Sequence, residues 1–195
     1  MSGLTQASSA RKTPRERILN VADELFYANG INAVGVDTIV ARSGAAKATL
    51  YMNFGSKDEL VAAYLRRRSE TWRAYLADEL QKRAQSPRQR LVAVFDVLGE
   101  AVAAPSFRGC PFINATAELA DASRPGRDAV AEHRGWLREL LRGLATEAGL
   151  KRPAEVAAEL QMLYDSVLVT AQAEGGGACA KRARIVAQMI VRQST

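Results

Sequence analysis

The chain has 195 residues, 48% of them hydrophobic and 25% charged, which is enough apolar material for a core without disulfide or metal staples and too much for wholesale disorder. No stretch approaches the roughly 18 unbroken apolar residues that span a bilayer. The start, Met1 to Arg11, is small and polar without the apolar segment of a secretory signal, so a cytoplasmic protein that does not enter a membrane is expected. The net charge of +6 is concentrated: residues 64–90 hold eight basic and three acidic side chains, while residues 91–195 hold twelve of each. A basic N-terminal part with a neutral remainder points to a polyanion at one end only; for the run Arg66-Arg67-Arg68 a solvated helix face is the preferred reading.

Residues 1–12 read as a flexible arm rich in Ser, Ala and Gly. Thr13-Pro14-Arg15-Glu16 then makes a capping box with proline at the first helical position. Ile18, Val21, Ala22, Leu25 and Phe26 follow at helical spacing, and Asn29-Gly30 closes the helix. Asp37 is a natural N-cap for a short helix through Ala41, which Ser43-Gly44-Ala45 breaks. A second short helix carries Lys47 to Asn53, and Phe54-Gly55 stops it. Ser56-Lys57-Asp58-Glu59 reads as a second capping box, opening a long helix towards Arg83.

Ser86-Pro87 starts the next helix, with Leu91, Val94, Phe95, Leu98 and Val102 as its stripe. A short helix is expected around Pro111 to Leu119, then a turn at Ser123 to Gly126 and an amphipathic helix with Val130, Leu137, Leu140, Leu141 and Leu144 on its buried face. Two last helices span about 154–174 and 178–193, divided by Gly175-Gly176-Gly177. The first has two apolar seams, Val156-Leu160-Leu163-Val167 and Ala157-Tyr164-Leu168-Ala171, so it needs cover on more than one side. A second copy of the chain is the economical source of that cover, with charged substitutions at Leu160 and Val167 expected to separate the copies. No alternating strand pattern occurs, and the fold class is all-α.

Two short helices joined by a tight glycine turn and packed on a preceding helix form a helix-turn-helix unit, whose second helix suits the major groove. In detail, Thr38-Ile39, Ser43-Gly44-Ala45-Ala46-Lys47-Ala48-Thr49-Leu50-Tyr51 and Phe54-Gly55-Ser56-Lys57-Asp58-Glu59-Leu60 resemble the tetracycline-repressor (TetR) family of bacterial regulators. The helix from Arg15 to Asn29 also resembles that family's first helix. The specific resemblance covers about residues 14–65; beyond it, only length and helical character agree.

The resemblance implies a DNA-binding domain over 13–60 and an effector-binding and dimerisation domain over 61–195, joined by the long helix. It implies a homodimeric repressor that leaves a pseudo-palindromic operator when a small effector binds. It places Lys47, Thr49, Tyr51 and Asn53 towards DNA, and Thr38 and Lys57 on phosphates. The residue chemistry is compatible: hydroxyls for phosphates or base edges, and an amide able to pair with adenine. Leu50 and Phe54 read as core, Tyr51 as open between core and DNA, and Asn53 as open between base contact and helix cap. Arg11, Lys12, Arg15 and Arg17 are either a phosphate-reaching arm or solvated. Relatives commonly carry Ser or Thr where this chain has Ala46, and the loss of that cap puts the contact pattern there in doubt.

In the C-terminal part, an apolar cavity would draw on Trp72, Phe95, Phe112, Asn114, Trp136, Met162 and Tyr164, with Tyr75, Leu98 and Ile113 as further wall and Glu118 and Asp165 as further polar anchors. Ordinary core packing competes with lining for most of these. Cys110 reads as a small buried hydrophobe before a redox or electrophile sensor, and His133 as surface or packing. Cys110 and Cys179 match no metal-ligand spacing, so neither metal nor cofactor is expected. Two rivals remain: a small-molecule binding protein whose helix-turn-helix no longer works, supported by Ala46, and an enzyme using Cys110 with His133, which lacks a third group.

Overall fold

The computed structural model describes residues 12–194, so all of the expected arm but Lys12 lies outside the described residues. These fold into nine helices with no strand among them: α1 (Pro14–Asn29), α2 (Val36–Ser43), α3 (Lys47–Phe54), α4 (Lys57–Arg83), α5 (Pro87–Ala103), α6 (Pro111–Glu118), α7 (Pro125–Glu147), α8 (Pro153–Glu174) and α9 (Ala178–Gln193).

Side-chain caps mark where α1, α4 and α5 begin. Thr13 Oγ1 accepts from the Glu16 amide at 3.2 Å while the Glu16 carboxylate accepts from the Thr13 amide at 2.7 Å, completing the box before α1. Ser86 and Gln89 form the same reciprocal pair before α5. The box expected before α4 is half made: Ser56 Oγ accepts from the Glu59 amide at 3.1 Å, but the Ser56 amide donates to the Phe54 carbonyl instead. Asp37 is not the cap of α2. Gly35 takes that position and Asp37 falls in the first turn, where its charge complements the free amides. Gly44 turns the chain out of α2 in the left-handed region, φ 63°, which glycine enters without steric cost. Ala46 caps α3 with no side-chain bond.

Helices α1, α2 and α3 pack on one another and on the start of α4. Ile18, Ala22, Phe26, Ile39, Leu50 and Leu60 are buried where they meet, and Phe26 lies against the Tyr64 ring at 5.6 Å. Beyond Leu65, α4 continues into a second bundle, where its Leu76 and Leu80 are buried and α7 is its main neighbour. There α7 packs on α8 and α5 on α9. The division expected at residue 60 therefore falls inside one continuous helix.

Two expectations are corrected. Leu160 and Val167 are buried inside the chain, as is every residue of both α8 seams except the half-buried Leu163. Helices α7, α5 and α9 supply the cover, so substitutions at Leu160 and Val167 would damage the core. The apolar side chains left outside are others: Met162 (73% exposed) and Val169 on α8, and Ile185 (57%), Val186 and Met189 on α9. The basic run of α4 is a solvated face only at Arg66, which is exposed. Arg67 and Arg68 are mostly buried and both pair with Asp23, at 3.0 and 2.5 Å, while Arg66 makes a two-pronged contact with Glu132. Further along, Lys82 pairs with Asp78 and Glu79, and Arg83 with Glu79 and Glu100. The excess positive charge of residues 64–90 is thus largely matched within the molecule.

Candidate nucleic-acid interface and ligand cavity

Helix α3 divides sharply by face. Leu50 and Phe54 point inward, fixing its rotation, and Lys47, Ala48, Tyr51, Met52 and Asn53 are exposed with Thr49 half-exposed. Tyr51 is 42% exposed, which resolves its reading in favour of the outer face. With Ala46 and Ala48 small, the backbone of α3 can approach a surface closely. Lys47 Nζ lies 2.8 Å from Asp37 Oδ1, and that partner raises its pKa. Asn53 Nδ2 donates to the Thr49 carbonyl one turn back at 2.7 Å, so its amide is held locally as a helix cap would be. Thr38 is exposed on α2.

Lys57 is committed to the fold. Its ammonium donates to the Ile31 carbonyl at 2.8 Å, tying the α1–α2 turn to the start of α4, and burial with Arg124 nearby lowers its pKa. Arg124 in turn grips Asp58 with both prongs, at 2.6 and 3.1 Å. Arg15 lies over the Phe54 ring at 5.0 Å, and Arg17 and Lys12 are exposed. Lys12 and Arg15 border one groove with Asn53 and Phe54 of α3.

The second bundle forms a half-open cavity of about 480 Å³ bounded by α1, α4, α5, α6, α7 and α8. Of the seven side chains expected there from the sequence, Trp72, Phe112 and Tyr164 line it, as do Tyr75, Leu98 and Asp165. The others do not. Phe95 is sealed in the core, because α5 turns that face away. Met162 faces outward. Asn114 bonds to the Arg108 carbonyl and to Gln172 on the outer side of α6. Trp136 packs one layer back, 5.5 Å from the His133 ring. Ile113 and Glu118 also lie elsewhere.

Several lining groups were not foreseen. His133 is buried, stacked on Phe112 with ring centres 3.6 Å apart, and its Nδ1 meets Ser69 Oγ at 2.9 Å. Burial, with Arg73 and Arg134 nearby, pushes its pKa down to about 3, so it is neutral. Arg67, Arg68 and Arg134 also reach the lining, with Asp23 from α1. The signal in sequence was present but weak: Ser69, Trp72 and Arg73 share one face of α4. Cys110 lies in the wall as a buried thiol, pushed up by burial against the opposing Phe112 and Ile113 amides. That is the opposite of an activated nucleophile.

Helix α6 joins cavity and helix-turn-helix. At its start, Pro111 and Phe112 line the cavity. The loop before it is held to α1 by Tyr27, whose hydroxyl accepts from the Arg108 amide at 2.9 Å and donates to the Gly109 carbonyl at 3.2 Å. Gly109 has φ 91°, a backbone conformation that favours glycine over any residue with a Cβ. At the far end, the Glu118 carboxylate lies against Gly30 and accepts from the Asn32 amide.

A three-helix unit with an outward-facing third helix, carried on a long helix into a cavity-bearing bundle, defines a helix-turn-helix DNA-binding protein with a second, helical domain. The comparisons agree. Residues 18–64 match the model of bacterial regulatory proteins of the tetR family, and residues 87–187 match the tetracyclin repressor-like C-terminal domain. The chain belongs to the TetR family of DNA-binding transcriptional regulators. Among solved structures, a TetR-family regulator from Streptomyces coelicolor is 29% identical with TM-score 0.85, covering 93% of this chain and 95% of that one. A tetr-transcriptional regulator from Streptomyces avermitilis is 28% identical with TM-score 0.83, covering 94% and 98%. Among curated relatives, the transcriptional regulator LmrA of Bacillus subtilis is 30% identical over 63% of this chain and 66% of its own length. The transcriptional activator FasR of Mycolicibacterium smegmatis is 35% identical over 44% and 39%. The chain thus spans 39% and 66% of the lengths of these two. No described helix is long and apolar enough to cross a membrane.

Proposed function

We propose that the chain is a homodimeric repressor released from a pseudo-palindromic operator by a small molecule bound in the α4–α8 cavity. The observation that carries this reading is the path from cavity wall to helix-turn-helix through α6: Phe112 at one end and the Glu118–Asn32 bond at the other. In each subunit α3 enters a major groove, with Lys47, Thr49, Tyr51 and Asn53 facing the DNA and Thr38 at the phosphates. Lys57 holds the α1–α2 turn and offers its remaining protons to the backbone. Residues 13–60 serve as the reading domain and 61–195 as the effector and dimerisation domain.

The second copy seats on Met162 and Val169 of α8 and Ile185, Val186 and Met189 of α9, an exposed apolar group on two adjacent helices. Half-site spacing then follows from the distance between the two α3 helices. A ligand that shifts Phe112 tilts α6, and Glu118 passes the shift to the loop that sets α2 and α3. Because linkage is reciprocal, DNA and effector weaken each other.

The test is to enrich binding sequences from random DNA, find a small molecule that releases the complex, and measure that molecule's affinity with and without the enriched DNA. Weaker binding in the presence of DNA is expected. Equal affinity overturns the effector reading.

A further inference from the structure

One buried polar atom in the cavity wall has no hydrogen-bond partner among the described residues, and it is a donor. The Trp72 indole N–H is buried with no acceptor. Tyr164 is almost fully buried beside the indole, which favours its ionised hydroxyl without closing a full hydrogen bond, and the hydroxyl itself is a second donor. His133 supplies a third. Arg73 Nε donates to Ser69 Oγ at 3.0 Å, which leaves the hydroxyl hydrogen for His133 Nδ1 and places the ring proton on Nε2. A buried unsatisfied donor is costly, and the Trp72 indole beside the two further donors marks the place of an acceptor.

The charges agree. Asp23 is shared by Arg67 and Arg68, and Asp165 is held by both prongs of Arg134 at 2.7 and 3.1 Å. Neither carboxylate is left to neutralise a cation, and one guanidinium charge is in excess. The rest of the wall is flat and apolar: Trp72, Tyr75, Phe107, Phe112, Tyr164 and the neutral His133 ring contribute aromatic surface.

We infer that the cavity takes a planar aromatic molecule bearing an anionic oxygen, a carboxylate or phenolate, which accepts from Trp72, Tyr164 and His133. This rests on the effector reading above and names its chemical class. An aromatic cation of the same shape finds aromatic surface but meets donors and surplus positive charge, so it is rejected.

The test is calorimetric titration of the full chain with 2-naphthoate and, separately, with 2-naphthylmethylammonium. The expected result is naphthoate binding at least about tenfold tighter, the discrimination of a charge-assisted hydrogen bond. The variant Tyr164→Phe, with an unchanged thermal midpoint as its folding control, lowers naphthoate affinity about tenfold and narrows the preference. Trp72→Phe acts in the same direction. Equal affinities, a preference for the ammonium, or no binding of either probe overturns the assignment. A third arm adds naphthoate to a protein–DNA complex. Selective binding that leaves the complex intact supports the ligand class while refuting effector release, so the two failures are distinguishable.

Discussion

The carboxylate of Glu118 accepts a hydrogen bond from the Asn32 amide at 2.8 Å, and its carbonyl accepts one from Asn32 Nδ2 at 3.0 Å, across 86 residues of sequence. This pair is the contact by which the last turn of α6 holds the loop between α1 and α2. Replacing Glu118 with alanine leaves the carbonyl bond and removes the carboxylate. The expected loss is about 1 kcal/mol, or a few degrees in thermal midpoint. In the proposed mechanism it also lowers the coupling between cavity ligand and DNA without changing ligand affinity itself. An unchanged midpoint in a thermal melt would show that the clamp contributes nothing.

Helix α3 begins at Ala46 with backbone angles of −74° and 150°, the geometry of an N-cap residue whose side chain has nothing to offer. Ala46→Ser supplies the missing acceptor and should stabilise the protein by about 0.5–1 kcal/mol in chemical denaturation. A hydroxyl at this place also faces any bound DNA, so DNA affinity should rise rather than fall. Destabilisation would mean that α3 does not start there in solution.

Lys47 and Asp37 form an exposed pair, 2.8 Å apart, on the outer side of the helix-turn-helix. If Lys47 meets a phosphate when DNA binds, Lys47→Ala reduces the slope of log affinity against log salt by about one. Asp37→Asn frees the ammonium and strengthens binding at low salt. Anisotropy titrations across a salt series read both effects. An unaltered slope in Lys47→Ala places the phosphate contact elsewhere.

His133 is held neutral in the folded protein, its pKa pushed down to about 3 by burial and by Arg73 and Arg134. The unfolded chain takes up this proton near pH 6.5 and the folded chain does not. The stability contributed is therefore complete above that value and falls as pH drops from about 6.5 towards 3, by roughly 1.4 kcal/mol per pH unit at most. The difference in stability between wild type and His133→Gln, followed by urea unfolding, should shrink across that window. A difference constant from pH 7 to pH 4 would contradict the neutral buried ring.

Met162 and Ile185 project from α8 and α9 with nothing covering them in one chain. Met162→Glu combined with Ile185→Glu should give a folded monomer in sedimentation, with DNA affinity sharply reduced because one half-site alone remains. A dimer that survives both changes has its interface elsewhere.

The helices were legible because their ends are chemically marked: Thr13 with Glu16, Ser86 with Gln89, and Gly30 and Gly44 at the exits. The outward set on α3 was legible because Leu50 and Phe54 fix the rotation of an eight-residue helix. The cavity was only half legible. Periodicity tells that Phe95 is buried but not whether a hollow or another helix lies beyond it, and it reads Met162 as core because apolar residues on an outward face look the same. The seams of α8 led to the wrong partner face for the same reason: both are covered by α7, α5 and α9 of the same chain. Arg67 and Arg68 looked solvated because Asp23, which pairs with them, lies more than forty residues away in sequence.

The most direct measurement is anisotropy titration of the chain against DNA from upstream of its own coding region, at two salt concentrations and with unrelated DNA as competitor. The account predicts salt-sensitive binding of two subunits per site that unrelated DNA does not displace, weakened by substitutions at Lys47 and Tyr51. Binding equal to that of unrelated DNA, and indifferent to those two residues, would contradict it.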